Sequence, residues 1–200
     1  MQRGRFATGW IALLACLIPA SADAHMALQS GPFYAAVVHP WINVSSALLL
    51  VAVCLWQAQS VHRGDVLAVL AISVPLVVGA LLGVRWGGFA PEAVSYGLTI
   101  VTGAVVAARL QPRAPIRLVV VALMALYGGV VAGSDAAADV GRFLPFATGT
   151  LVGALVVPAV IIGMLMERPQ QVVQVGIRVV GSWICAAGIM LFVFALKAAA

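Results

Sequence analysis

Long stretches without a charged residue are the feature that most constrains the fold of this chain. Residues 66–84, 143–166 and 179–196 contain no aspartate, glutamate, lysine or arginine. The whole chain is 64% hydrophobic and 8% charged, whereas soluble globular proteins carry about 25% charged residues. A helix of about 20 apolar residues crosses the hydrocarbon core of a bilayer, which is about 30 Å thick. The sequence therefore predicts an all-α, polytopic membrane helix bundle and excludes a soluble enzyme fold.

Charge and cysteine content exclude two further classes of protein. The net charge of +5 results from few acidic residues and not from a cluster of bases, so no nucleic-acid-binding surface is expected. Three cysteines are too few for a disulfide scaffold. The lipid bilayer is therefore the expected partner of most of the surface, and no bound cofactor is indicated.

Residues 1–24 have the pattern of a secretory signal peptide. Two arginines among the first five residues are followed by an apolar segment, 6–20, and by Ala-Asp-Ala at 22–24, a small-x-small cleavage site. Cleavage there predicts a mature domain of residues 25–200 that begins at His25. The alternative is an uncleaved first transmembrane helix, although the apolar segment is short for a span.

Charges, prolines and glycines divide the remainder of the chain into six predicted transmembrane helices. None of them is a strand candidate, because transmembrane strands are about ten residues long and alternate apolar with polar side chains. Pro112 and Pro115 separate the third span from the fourth. The predicted spans are 33–57, 66–84, 93–110, 116–132, 143–166 and 179–196.

The distribution of arginine and lysine predicts the orientation in the membrane. If the signal peptide is cleaved, the loops counted as inside carry six bases against three outside, in agreement with the positive-inside rule. Both termini are therefore predicted to face the periplasm, in a bacterial inner membrane. The inner bases are Arg63, Arg109, Arg113, Arg117, Arg168 and Arg178, and the outer bases are Arg85, Arg142 and Lys197.

Three pairs of glycines with GxxxG spacing are candidates for close approach of helix backbones. With 20 glycines in 200 residues, such pairs also arise by chance, so the spacing alone does not identify the interfaces. The pairs are Gly79 with Gly83, Gly129 with Gly133, and Gly149 with Gly153.

One short segment of the first span concentrates polar side chains. Ionisable groups at membrane depth are costly and therefore mark candidate functional sites, and His39 is the imidazole predicted at that depth, just before Pro40. Residues three and four apart share a helix face, so Asn43 and Ser46, with Ser45 between them, are expected near His39 or the kink. A structural role and a metal-binding role both remain open for this cluster.

Two further polar positions are candidates for cation binding. Asp135 lies with Asp139 and Arg142 in a predicted outer loop, where the acids could gather cations or simply be solvated. His25, as the amino-terminal residue, could bind copper or nickel through its amine and imidazole, or be merely the residue after the cleavage site. No nucleophile with a base and no buried acid–base pair is visible, so an enzyme is not predicted.

The stretch 39–59 resembles the HupE/UreJ family of hydrogenase and urease accessory membrane proteins. The family motif is His-Pro-x-x-Gly-x-Asp-His-Leu-Leu-Ala-Met-x-Ala-Val-Gly-Leu-Trp-Ala-Ala-Gln. Its Asp-His pair falls on Ser45 and Ser46, and its first glycine falls on Asn43. The matching residues are His39, Pro40, Leu48, Ala52, Val53, Leu55, Trp56, Ala58 and Gln59.

A second stretch, 125–135, resembles the family sequence Ala-Leu-Phe-His-Gly-His-Ala-His-Gly-Ala-Glu. Gly129 and Gly133 match, and Asp135 retains an acid. The three histidines of the family sequence fall on Gly128, Val130 and Ala132.

The resemblance extends over essentially the whole chain and implies a permease that passes nickel or cobalt ions to metalloenzyme assembly. His and carboxylate ligands are implied, which makes His39, Ser45, Ser46 and Asp135, together with His25, the candidate metal-binding residues of this chain. Because serine, glycine, valine and alanine supply no strong ligand, the alternative is a non-transporting accessory or interaction protein built on the same bundle.

Overall fold

A computed structural model describes residues 31–60, 66–87, 91–136, 143–166 and 170–199. Every regular element in these ranges is an α-helix, so the all-α prediction is confirmed there. The predicted signal peptide lies outside the described residues. The helices are α1 (Pro32–Ile42), α2 (Val44–Ala58), α3 (Val66–Trp86), α4 (Glu92–Ala107), α5 (Ala114–Ala136), α6 (Phe143–Met166) and α7 (Gln170–Ala199).

Four helices of the described part, α3, α5, α6 and α7, are long and apolar enough to cross a membrane. The segment predicted as the first span is not one straight helix, because α1 and α2 meet at an angle of 74°. Together these two helices pass the same test of length and composition. α4 is apolar but has 16 residues, a rise of about 24 Å. The described ranges therefore hold four or five candidate spans.

Several predicted helix bounds differ from the structure. The sixth span was expected at 179–196, but α7 runs from Gln170 to Ala199, so Arg178, expected in an inner loop, lies within that helix. The third span was expected to reach residue 110, but α4 ends at Ala107, and Arg109 has a left-handed backbone with φ 54° that does not continue a helix. The fourth span was expected to end at residue 132, but α5 continues to Ala136. Its glycine-rich stretch stays helical because that stretch packs closely against α3.

Helix α2 is the centre of the bundle. It contacts each of the other six described helices, and residues 52–59 are all buried. A helix that is apolar on every side belongs in such a core. Around it, α3 packs mainly on α5, α4 on α7, and α1 on α6.

All three GxxxG pairs lie at helix interfaces. A Cβ atom on Gly129 of α5 would overlap the carbonyl oxygen of Leu76 in α3, and Gly79 of α3 faces the α5 backbone in the same way. Gly149 and Gly153 of α6 face the backbone of α1. Glycine at these positions lets the helix backbones touch, which is how small residues stabilise helix pairs in membranes.

Candidate functional site

The break between α1 and α2 is built by Asn43. Its backbone is extended, with ψ 121°, and its side-chain Oδ1 accepts a hydrogen bond from the Ser45 backbone N–H at 2.9 Å. The Ser45 hydroxyl donates to the same oxygen at 2.8 Å. Asparagine is among the preferred N-cap residues because its side chain satisfies a free N–H of the first helical turn. α2 therefore begins at Val44 as a new, capped helix.

Ser46 supports the break from inside the bundle. Its side chain is fully buried, and its Oγ donates to the Pro40 carbonyl oxygen at 3.0 Å. The Pro40 carbonyl lies where the break interrupts the helical hydrogen-bond ladder, and an unsatisfied carbonyl is costly inside a membrane. The hydroxyls of both Ser45 and Ser46 thus have structural partners.

Asn43 also connects the break to α5. Its Nδ2 donates to Oδ2 of Asp135 at 2.8 Å. Asp135 was expected in a loop, but it lies in the last turn of α5, because the helix runs on through the preceding glycines. This contact joins positions 92 residues apart, one in each of the two stretches that resemble the family sequence.

Three further side chains interact electrostatically with the Asp135 carboxylate. Asp135 interacts electrostatically with His39 of α1 and with Glu92 at the start of α4. Tyr96 of α4 lies beside Ser45 and interacts with both carboxylates. The sequence did not single out Glu92 and Tyr96, because only the packing of α4 brings them here. We call this group the Asp135 cluster: His39, Asn43, Ser45, Glu92, Tyr96 and Asp135.

The Asp135 cluster contains several side chains of kinds that can bind a cation, but the structure does not bring them together as one ligand set. It contains one imidazole, two carboxylates, an amide and hydroxyls, and the Asp135 side chain is exposed. Across the ranges that the structure describes, no three His, Cys, Asp or Glu side chains lie close enough together to hold a metal ion. The predicted candidates His25 and Asp139 lie outside those ranges. The arrangement therefore suits attraction of a cation to an exposed carboxylate, and tight binding would require His39 and Asp135 to approach each other.

Comparison with known proteins decides the family. The family model described as "HupE / UreJ protein" matches residues 12–191. The chain belongs to the HupE/UreJ family. Protein HupE of Rhizobium leguminosarum bv. viciae is 25% identical over 182 residues, which cover 90% of this chain and 95% of the relative. No solved structure matches the chain. The expected family is thus confirmed, and its apolar helices identify this HupE/UreJ protein as a membrane protein.

The interface between α2 and α5 is filled by apolar packing in this HupE/UreJ protein. A Cβ atom on Gly128 would lie 2.9 Å from the Leu50 side chain of α2, and Ala132 is buried. Both positions align with histidines of the family sequence. An imidazole at position 128 would require Leu50 to move, so the packing here has adapted to small residues.

A second polar network lies at the opposite end of the HupE/UreJ bundle, where α2 and α4 end. Gln59 Nε2 donates to the Val106 carbonyl oxygen at 2.9 Å, and Arg117 Nε donates to Oε1 of the buried Gln57 at 3.3 Å. The glutamines satisfy backbone and side-chain groups that lipid could not. No sequence pattern marked these glutamines as functional, although Gln59 matches the family motif. The described bases predicted as inner share this end: Arg109, Arg113, Arg117 and Arg178.

Proposed function

We propose that this HupE/UreJ protein is a six-span bacterial inner-membrane permease that passes nickel or cobalt ions for the assembly of metalloenzymes such as hydrogenase or urease. The observation that carries the proposal is the hydrogen bond between Asn43 and Asp135. It joins the two family-like stretches at one end of the bundle, and His39 interacts electrostatically with the same carboxylate. Imidazole and carboxylate are ligands that divalent metal ions accept.

The candidate ligands have different roles in this proposal. Asp135 is exposed and receives the ion at the end that we assign to the periplasm. His39 binds it next, and His25 adds its amine and imidazole at the start of the mature chain. Ser45 and Ser46 are weak neutral ligands, and they bind the ion only after their hydrogen bonds at the helix break have been released.

Nickel uptake tests the proposed activity. Cells that express the chain are expected to accumulate more nickel than empty-vector cells at sub-micromolar metal. The His39→Ala variant is expected to reduce this uptake by at least about tenfold, because loss even of a residue that only orients a metal ligand typically costs 10–100-fold in affinity or activity. The measurement is accumulation of radioactive nickel, with expression matched by immunoblot. Equal accumulation in all three strains would contradict nickel transport.

A non-transporting accessory protein on the same bundle is the second candidate function. It is favoured by the hydrogen bonds that occupy Ser45 and Ser46 and by the Leu50 side chain that packs against Gly128. Under this hypothesis, purification in a mild detergent is expected to retain a stable membrane or periplasmic partner. Absence of any such partner would count against it.

The proposed topology places residues 1–24 in a cleaved signal peptide and both termini in the periplasm. It is supported by the bases gathered at the end of α2 and α4, since positive residues favour the cytoplasmic side. Alkaline phosphatase fused after Ala200 is therefore expected to be active, and green fluorescent protein at the same position is expected to be dark. A fluorescent carboxy-terminal fusion would contradict this orientation.

A further inference from the structure

Asn43 uses both ends of its side-chain amide at the helix break. The oxygen accepts hydrogen bonds from the backbone N–H and the hydroxyl of Ser45, and the nitrogen donates to Asp135. The first set of bonds starts α2, and the second crosses to α5. Glycine, which the family motif has at this position, could make neither side-chain contact.

Helix α1 depends on contacts outside itself. It has 11 residues with Pro40 inside, and isolated helices shorter than about 12–15 residues are marginal. Its first half packs on α6, where Gly149 and Gly153 meet its backbone, and Ala36 is 2% exposed. Its second half ends at Asn43, whose side chain is bonded to α5.

We infer that the hydrogen bond between Asn43 and Asp135 is a latch that holds α1 against α5 and α6 and keeps this end of the bundle closed. When the bond is broken, α1 loses its side-chain contact with α5. It then turns more readily about the break, against its packing on α6 and the hydrogen bond from Ser46 to Pro40, because no continuous helical hydrogen-bond ladder joins α1 to α2. The inference concerns conformation, so it does not depend on the ion proposed above.

Alkylation of a buried cysteine in α1 tests the latch. Ala36→Cys is introduced into the full chain, which is reconstituted in lipid vesicles and treated with a membrane-impermeant maleimide. Asn43→Asp keeps the oxygen that caps α2, since aspartate is an equally good N-cap, but it replaces the donor with a second carboxylate. The bond is charge-assisted but exposed to solvent, which weakens it, so we expect labelling about fivefold faster in this variant.

Matched variants separate the latch from a general loss of structure. Adding Asp135→Asn to Asn43→Asp re-forms the bond with donor and acceptor exchanged, and it is expected to restore slow labelling. Tyr34→Cys, at an exposed position of α1, is expected to react quickly in every background, and the chain without an added cysteine reports the reaction of the native cysteines. If Asn43→Asp is not produced as folded protein, Asp135→Ala breaks the same bond and leaves the α2 cap intact.

The outcomes decide the inference directly. Fast labelling in Asn43→Asp or Asp135→Ala, reversed in the exchanged double variant, supports the latch. The inference would be overturned if these single variants label at the same rate as the Ala36→Cys protein with Asn43 and Asp135 unchanged. It would also be overturned by a double variant that labels as fast as Asn43→Asp alone, because the accessibility would then not follow the hydrogen bond.

Discussion

Replacing Gly129 with alanine is expected to destabilise the bundle by about 3 kcal/mol, at the upper end of typical overpacking costs. The added Cβ atom would overlap the Leu76 carbonyl oxygen and lie 2.9 Å from the Ala80 backbone nitrogen. Neither atom belongs to a flexible side chain, so α3 and α5 would have to separate. Thermal unfolding of the detergent-solubilised protein is expected to shift down by roughly 6–12 °C.

Gly163→Ala is the matched control for this prediction. A Cβ atom on Gly163 of α6 would meet nothing within 4 Å. Alanine favours the helix over glycine by about 1 kcal/mol, so this variant is expected to unfold at the same temperature or slightly higher. If Gly129→Ala and Gly163→Ala unfold at the same temperature, the contact between α3 and α5 is looser than in the structure, which would contradict the prediction.

Helix positions could be predicted where charges and prolines bound an apolar stretch. The predicted fifth span and α6 coincide at Phe143–Met166 because charged residues lie on both sides of an uninterrupted apolar run. The end of α5 could not be predicted in this way. A glycine-rich stretch favours a loop by propensity, and here it stays helical because glycine allows the α3 backbone to approach. The contact with α3 is visible only in the packed bundle.

The candidate site could be predicted only as far as one helix extends. His39, Asn43 and Ser46 were expected to share a face of one helix, but the helix bends by 74° there, and the structure joins Ser46 to Asn43 and Pro40 at the break. The hydrogen bond between Asn43 and Asp135 and the electrostatic interaction of Glu92 with Asp135 depend on how α4 and α5 pack. A local sequence pattern carries no information about that packing. The hydrogen bonds of the Ser45 and Ser46 hydroxyls could not be predicted either. Their acceptors are Oδ1 of Asn43 and the Pro40 carbonyl oxygen, and both depend on the break in the helix.

Removing the charge of Asp135 is expected to weaken nickel binding by more than about tenfold. Asp135→Asn keeps the shape of the side chain and an oxygen that accepts the Asn43 hydrogen bond, so the fold and the contact between α5 and the break are retained. The negative charge that attracts a divalent cation is lost. The measurement is calorimetric titration of the purified, detergent-solubilised protein with Ni²⁺.

Ser134→Ala serves as the neighbouring control in the same titration. Its hydroxyl is a weak neutral ligand, and its removal leaves the Asp135 carboxylate in place. If the Asp135 cluster binds the metal, the unaltered protein and Ser134→Ala bind Ni²⁺ saturably and with equal affinity, whereas Asp135→Asn binds it more than about tenfold more weakly. Binding that is unchanged in Asp135→Asn, or no binding by the unaltered protein, would contradict a metal-handling role for the cluster.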